Sequence, residues 1–221
     1  MGKMMLIDTS RCISCRACQV ACKMWHALPP EEDSKPRKDL TGTTLTLVRE
    51  IEAEVGGRIR RLFFKMQCRH CEDPRCKLAC PLKAIKKLKN GAVVINPDIC
   101  NPLLCSDEPL YLERPCQRHC MFKNTDHRGI PRFHYEETMR KCDLCYDRIR
   151  DGSGRKTACA NACPTGAIVF GSEDNVWGVA NRRLKKAKKR YPNANVGGLV
   201  AGPSHVIWLL TQNLALYGVE G

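Results

Sequence analysis

Sixteen of the 221 residues are cysteine, and they fall into four groups of four. Group one is Cys12, Cys15, Cys18 and Cys22; group two is Cys68, Cys71, Cys76 and Cys80. Group three is Cys100, Cys105, Cys116 and Cys120; group four is Cys142, Cys145, Cys159 and Cys163. Each group closes with three residues before its last cysteine, so the grouping is an internal repeat. Such a chain must gather sulfur at several places, in disulfides, zinc sites or iron–sulfur clusters. Disulfides suit small secreted domains, and the N-terminal residues reach Asp8 after only four apolar positions, too short for the apolar region of a secretory signal. The compartment stays open, because a subunit can be exported while bound to a partner that carries the signal.

Spacing separates the other two chemistries. Zinc sites use two separated Cys-x2-Cys pairs. Group one instead runs Cys-x2-Cys-x2-Cys-x3-Cys. That spacing wraps three sulfurs around one [4Fe–4S] cluster and hands the fourth to a neighbouring cluster. Four such groups predict four [4Fe–4S] clusters with crossed ligands, and crossing requires the groups to pair. Cys80-Pro81-Leu82-Lys83-Ala84-Ile85, then a turn at Asn90-Gly91 and a strand into Cys100, link groups two and three as in a small ferredoxin. Groups one and four are left for each other, flanked by strand candidates at 4–8 and 167–171. The expected ligand sets are Cys12, Cys15, Cys18 and Cys163; Cys142, Cys145, Cys159 and Cys22; Cys68, Cys71, Cys76 and Cys120; and Cys100, Cys105, Cys116 and Cys80. Group three departs from the pattern with gaps of four, ten and three, so 106–115 should form a loop beside its cluster. His70 and His119 adjoin cysteines and read as polar neighbours, since a Rieske arrangement would replace two cysteines by histidine and none is missing.

The expected fold is α+β: two nested ferredoxin-like modules, a β-hairpin insertion, and a C-terminal helix followed by an extended tail. Residues 1–30 with 135–171 form the outer module, and 65–134 the inserted one. Residues 31–64 connect them through a charged, exposed loop to Asp39 and two strands, 44–55 and 58–64, turning at Gly56-Gly57. In 172–221, Ser172 can cap a helix on which Val176, Ala180, Leu184, Ala187 and Tyr191 recur at helical spacing. The cations from Arg182 to Arg190 read as its solvated face. The uncharged run 191–219 is broken by Pro192, Gly197, Gly198, Gly202 and Pro203, and its apolar part is too short for a membrane span of about 20 residues, so it reads as a strand plus a tail that packs on the body or a partner.

The formal charge of +14 invites a nucleic-acid reading. Sixteen thiolates and four dipositive cluster cores would bring it to roughly +6. Aromatic-interleaved basic stripes are also absent, so nucleic acid is not the expected partner. No nucleotide loop or nucleophile–base arrangement stands out, which leaves conduction of electrons and no catalytic residue. A zinc-stabilised basic interaction module is the reading from a different class; iron with acid-labile sulfide, against zinc without it, separates the two.

These groups in nested order resemble the four-cluster iron–sulfur subunits that accompany molybdopterin enzymes of the dimethyl sulfoxide reductase superfamily. Residues 12–25 and 67–76, Cys142-Asp143-Leu144-Cys145-Tyr146-Asp147-Arg148 and Cys163-Pro164-Thr165-Gly166-Ala167 are similar to one branch, the beta subunits of formate dehydrogenases. The resemblance covers nearly the whole chain. It departs at Lys23 and Met121, which follow Cys22 and Cys120 where proline is common. It implies a non-catalytic subunit of a bacterial or archaeal complex, periplasmic by co-export or cytoplasmic, soluble or peripheral. A large molybdenum or tungsten bis-pterin subunit would supply electrons at the module of groups one and four. A cytochrome, a quinone-linked subunit or a ferredoxin would take them from the inserted module. A thiosulfate, polysulfide, tetrathionate or arsenate reductase is the alternative partner within the superfamily.

Overall fold

The computed structural model describes residues 2–30, 38–107, 112–123, 128–134, 138–150, 153–199 and 202–219. Most of the expected charged loop (31–37) and the middle of the group-three loop (108–111) lie outside them.

Strand β1 (Lys3–Asp8) leads into helix α1 (Ala17–Trp25), and β2 (Leu47–Val55) and β3 (Arg58–Met66) form a hairpin. Its two-residue turn, Gly56-Gly57, has φ of 60° and 72°, the doubly left-handed geometry that glycine supplies most cheaply. Single-turn helices carry cysteines in the later groups: α2 (Arg75–Leu78), α3 (Pro115–Arg118) and α4 (Ala158–Asn161). Two-stranded ribbons lie between them, β4 (Ile85–Lys87) with β5 (Val93–Ile95) and β6 (Arg132–His134) with β7 (Thr138–Arg140). The chain ends with β8 (Ile168–Ser172), α5 (Glu173–Lys188), β9 (Asn195–Gly197), β10 (Val206–Leu210) and a 3-10 turn, Leu214–Tyr217.

The largest sheet runs β8-β1-β10-β9. Its β1–β8 pair is antiparallel, with Met5 opposite Phe170, so the segments expected to flank groups one and four do lie side by side. The segment read as a strand plus a packed tail lies deeper than a surface tail. Strand β10 is an inner strand, parallel to β1, and all five of its residues are buried. Its composition explains this: Val206-Ile207-Trp208-Leu209-Leu210 is a continuous apolar run, as suits a strand covered on both faces. Helix α5 covers one face through Val176 and Ala180. Ser172 stands at its N-cap position, but its side chain makes no capping hydrogen bond. Among the cations beyond it, Arg183 turns inward, donating to Asp8 Oδ2 at 3.1 Å and Gly166 O at 2.9 Å; the flanking lysines are exposed.

The opposite face of the sheet meets the hairpin. The indole of Trp208 stacks on Phe64 with ring centroids 6.0 Å apart, and Phe122 tilts against it at 5.8 Å. Its Nε1–H donates to Lys65 O at 3.0 Å. One buried residue thus ties together the hairpin, the group-three region and the sheet, and that contact sets where the cysteine loops stand.

The Cys-Pro repeats share a backbone turn. Lys83 N–H donates to Cys80 O at 3.1 Å, and Gly166 N–H to Cys163 O at 3.2 Å. Both residues are left-handed, with φ of 53° and 60°. A non-glycine residue there costs about 1–2 kcal/mol. Lys83 is exposed, so Lys83→Gly should raise stability by about 1 kcal/mol and Gly166→Ala lower it by a similar amount. Thermal unfolding of the cluster-loaded variants reads both; shifts in the same direction would reject the shared-turn account.

Candidate iron–sulfur centres

The cysteine loops curl through a repeated backbone device. In groups one, two and four the residue before the second cysteine is left-handed: Ser14 at 56°, His70 at 53° and Leu144 at 63°. A non-glycine residue rarely adopts this conformation, and its recurrence at one position in three loops marks a functional constraint. Group three spans its longer gap otherwise. Asn101 Oδ1 accepts from Leu103 N–H at 2.9 Å, and Pro102 O accepts from Cys105 Sγ at 3.5 Å.

Helix packing then crosses the groups. Helix α1, with Cys18 and Cys22, packs on α4, with Cys159; α2, with Cys76, packs on α3, with Cys116. One cavity is lined by Cys12, Cys15, Cys18 and Cys163, and another by Cys68, Cys71, Cys76 and Cys120. Burial pushes the Cys22 thiol up, and Cys142, Cys159 and Cys145 push it further. Burial raises Cys116 too, with Cys76, Cys100, Cys105 and Cys80 adding to it. The last cysteine of every group therefore lies among cysteines of its partner group.

Across the sets the same cause dominates. Desolvation takes Cys18 and Cys120 up to about 11, and Cys76 and Cys142 up to about 12. A metal binds the thiolate, not the thiol, so such deep sulfurs can ionise only with a strong cation beside them. Several sulfurs also accept backbone hydrogen bonds: Cys68 from His70 N–H at 3.4 Å, Cys100 from Met139 N–H at 3.4 Å and Cys120 from Ile130 N–H at 3.5 Å. A Cβ at Gly129 would collide with Gln117 O and Cys120 Cβ; glycine there lets the chain pass close enough for the Ile130 bond.

Charge supplies the test of fit. Lys65 and Lys141 are 2% and 6% exposed. Lys65 lines the cavity of Cys12, Cys15, Cys18 and Cys163, and Lys141 that of Cys68, Cys71, Cys76 and Cys120. Burial pushes both ammonium groups down, yet the surrounding thiolates, joined at Lys141 by the Asp143 carboxylate, more than reverse it. An isolated buried cation is very costly. All-sulfur donor sets faced by buried cations suit an anionic [4Fe–4S] cluster with four thiolates, and the residues fit that group.

His70 is a buried neighbour whose Nδ1 accepts from Val93 N–H at 2.9 Å, and His119 is exposed with its ring against Pro115 O at 3.0 Å. Sequence reasoning missed Lys65 and Lys141. The available signal was a lysine inside the apolar run Leu62-Phe63-Phe64-Lys65-Met66, and another directly before Cys142. It also missed His26, whose Nε2 lies 3.3 Å from Asp143 Oδ1 and ties the end of α1 to the group-four loop.

Sixteen cysteines in four groups, eight of them lining two cavities, define an iron–sulfur protein of the four-cluster electron-transfer class. Family models described as 4Fe-4S dicluster domain match residues 59–173 and 11–85, two dicluster domains that give four [4Fe–4S] clusters. The chain is 36% identical to a formate dehydrogenase subunit beta of Megalodesulfovibrio gigas, over 98% of this chain and 97% of that one. It is 35% identical, with the same coverage, to the formate dehydrogenase 2 subunit beta (cytochrome c-553) of Nitratidesulfovibrio vulgaris. It is 36% identical to the nitrate-inducible formate dehydrogenase iron-sulfur subunit of Escherichia coli, over 93% of this chain and 67% of that one. The chain belongs to the family of formate dehydrogenase beta, or iron–sulfur, subunits. No helix among the described residues is long and apolar enough to cross a membrane.

Anaerobic removal of iron by a chelator would leave Lys65 and Lys141 buried beside neutral thiols, at a cost of about 3–5 kcal/mol for each stranded charge. The iron-free chain should lose its cooperative thermal transition and near-ultraviolet circular dichroism, and regain both on reconstitution with iron and sulfide. An unchanged transition would contradict the role given to the two lysines.

Proposed function

We propose that this chain is the electron-transfer subunit of a formate dehydrogenase. It conducts electrons between a molybdenum- or tungsten-pterin catalytic subunit, which interconverts formate and CO₂, and an external redox partner. Near full-length similarity to subunits bearing that name supports the reading, as do the four cysteine groups and the two cavities that each gather four of the cysteines. Its compartment follows from the partner with which it is exported or retained.

The ligand sets proposed are the crossed ones: Cys12, Cys15, Cys18 with Cys163; Cys142, Cys145, Cys159 with Cys22; Cys68, Cys71, Cys76 with Cys120; and Cys100, Cys105, Cys116 with Cys80. The proposed architecture is two nested ferredoxin-like modules, with the β9–β10 segment counted in the outer one because it shares the sheet of β1 and β8. When bound, each cluster accepts and passes one electron. The proposed sets form a line of neighbours: the charge of Cys159 in the second acts on Cys18 of the first, that of Cys68 in the third on Cys142 of the second, and that of Cys76 in the third on Cys116 of the fourth. Core side chains such as Ile85, Val93 and Met139 keep water from the last junction.

Both ends of that line carry exposed apolar side chains. At the first, Ile13 lies beside the exposed Cys15 in the lining of that cavity, and Val20 and Met24 stand exposed on α1, Met24 at 78%. At the fourth, Ile99, Leu103 and Leu104 stand beside Cys100 and Cys105. Large apolar residues concentrated beside sulfur sets mark partner contacts. The first end is assigned to the catalytic subunit and the fourth to a cytochrome, a quinone-linked subunit or a ferredoxin.

Replacing Cys22 with Ser should perturb the cluster held mainly by group four; loss of the group-one cluster alone in reduced-state spectra would refute crossed ligation. For the function, purification under native conditions should bring down a large pterin-containing subunit and formate-dependent dye reduction. A copurifying subunit without pterin would reject the formate dehydrogenase reading.

A further inference from the structure

We propose that Lys65 sets the reduction potentials of two clusters together, standing as a fixed buried cation at the seam between the first and second sulfur sets. The proposal rests on the crossed ligand sets given above and adds a residue to them that is not a ligand.

Position carries the argument. Lys65 is near the end of β3, a strand pinned at this point from both sides. Its backbone pairs with Val48 across the hairpin, and its carbonyl holds the Trp208 indole at 3.0 Å. Its side chain lines the cavity of Cys12, Cys15, Cys18 and Cys163. The thiolates that act on it most strongly are Cys159, Cys18, Cys142 and Cys22, one from the first set and three from the second. The ammonium donates to Gln67 Oε1, and Gln67 Nε2 lies 3.4 Å from Met5 Sδ. No carboxylate among the described residues forms an ion pair with it. The charge is therefore held in place by a neutral amide and directed at sulfur.

Reduction adds one negative charge to a cluster. A cation fixed in low dielectric stabilises that added charge, while an exposed cation is screened by water and salt. A lysine serving two clusters raises both potentials. It offsets, without removing, the repulsion that a reduced cluster exerts on a second electron next to it. Lys141 occupies the corresponding seam one step along. It lines the cavity of the third set, donates to Cys142 O at 3.0 Å and to Val93 O, and is acted on by Cys68, Cys76 and Cys142 and, unlike Lys65, by a carboxylate, that of Asp143. The two seams are thus built alike, although Lys65 comes from a strand and Lys141 from the residue before a ligand.

The test is a redox titration followed by electron paramagnetic resonance on the full chain in its native complex, with iron counted for each variant. Lys65→Met keeps the length of the side chain and removes its charge. With iron near sixteen atoms per chain, the two clusters of the outer module should become at least tenfold harder to reduce. That is a fall of about 59 mV for a one-electron couple. The other two should hold their potentials, and Lys65→Arg should restore the shifted pair. Unchanged potentials, or an equal shift of all four, would overturn the proposal. If Lys65→Met fails to load its clusters, Lys65→Arg decides: full loading with near-native potentials supports a requirement for charge, and failure to load overturns it. A two-cluster shift in Lys65→Met, with Cys22→Ser affecting the group-one cluster alone, would refute crossed ligation and leave the role of Lys65 standing.

Discussion

Negative charge carried inward on sulfur is the constraint around which this molecule is built. A thiolate buried without a counter-ion is costly, and the thiols of Cys22, Cys76, Cys116 and Cys142 are all driven toward the neutral form by burial. Iron answers most of that charge, and the protein answers the remainder from within through Lys65 and Lys141. The +14 formal charge is then in part an internal matter. Two of the cations that contribute to it face sulfur in the interior and are not free to attract polyanions at the surface.

This arrangement explains how a chain with only 6% aromatic residues forms a firm structure. Its few large rings are concentrated where they act. Phe64, Phe122, Trp208 and Tyr217 are buried together, and the sulfur sets occupy space that side chains fill in an ordinary domain. The aromatic group positions the strand that bears Lys65, so the packing of the core and the electrostatics of the sites are one construction.

The four-cluster class was legible because the cysteines recur in four groups with the spacing that [4Fe–4S] ligation uses; the crossed pairing is proposed from the same spacing. The β2–β3 hairpin was legible because Gly56-Gly57 suits its turn uniquely well, and α5 because its apolar positions recur at helical spacing. The place of β10 was not. A continuous apolar strand looks the same in sequence whether it lies inside a sheet or ends as a packed tail, and its partner β1 is some two hundred residues away. The absent capping bond of Ser172 depends on a side-chain rotamer that composition does not encode. Lys65 was hidden by expectation: lysine ordinarily reads as surface, and only its neighbours in space reveal what it faces.

The same strand order has a consequence for biogenesis. Strand β1 precedes all four cysteine groups in the chain, yet it lies between β8 and β10, which follow them. Until Trp208 arrives, the hairpin face beneath it stays uncovered, and one edge of β1 stays open. Such distant pairing closes slowly. The delay leaves an interval in which every cysteine loop is already synthesised while the sheet still lacks the strand whose indole packs on the hairpin.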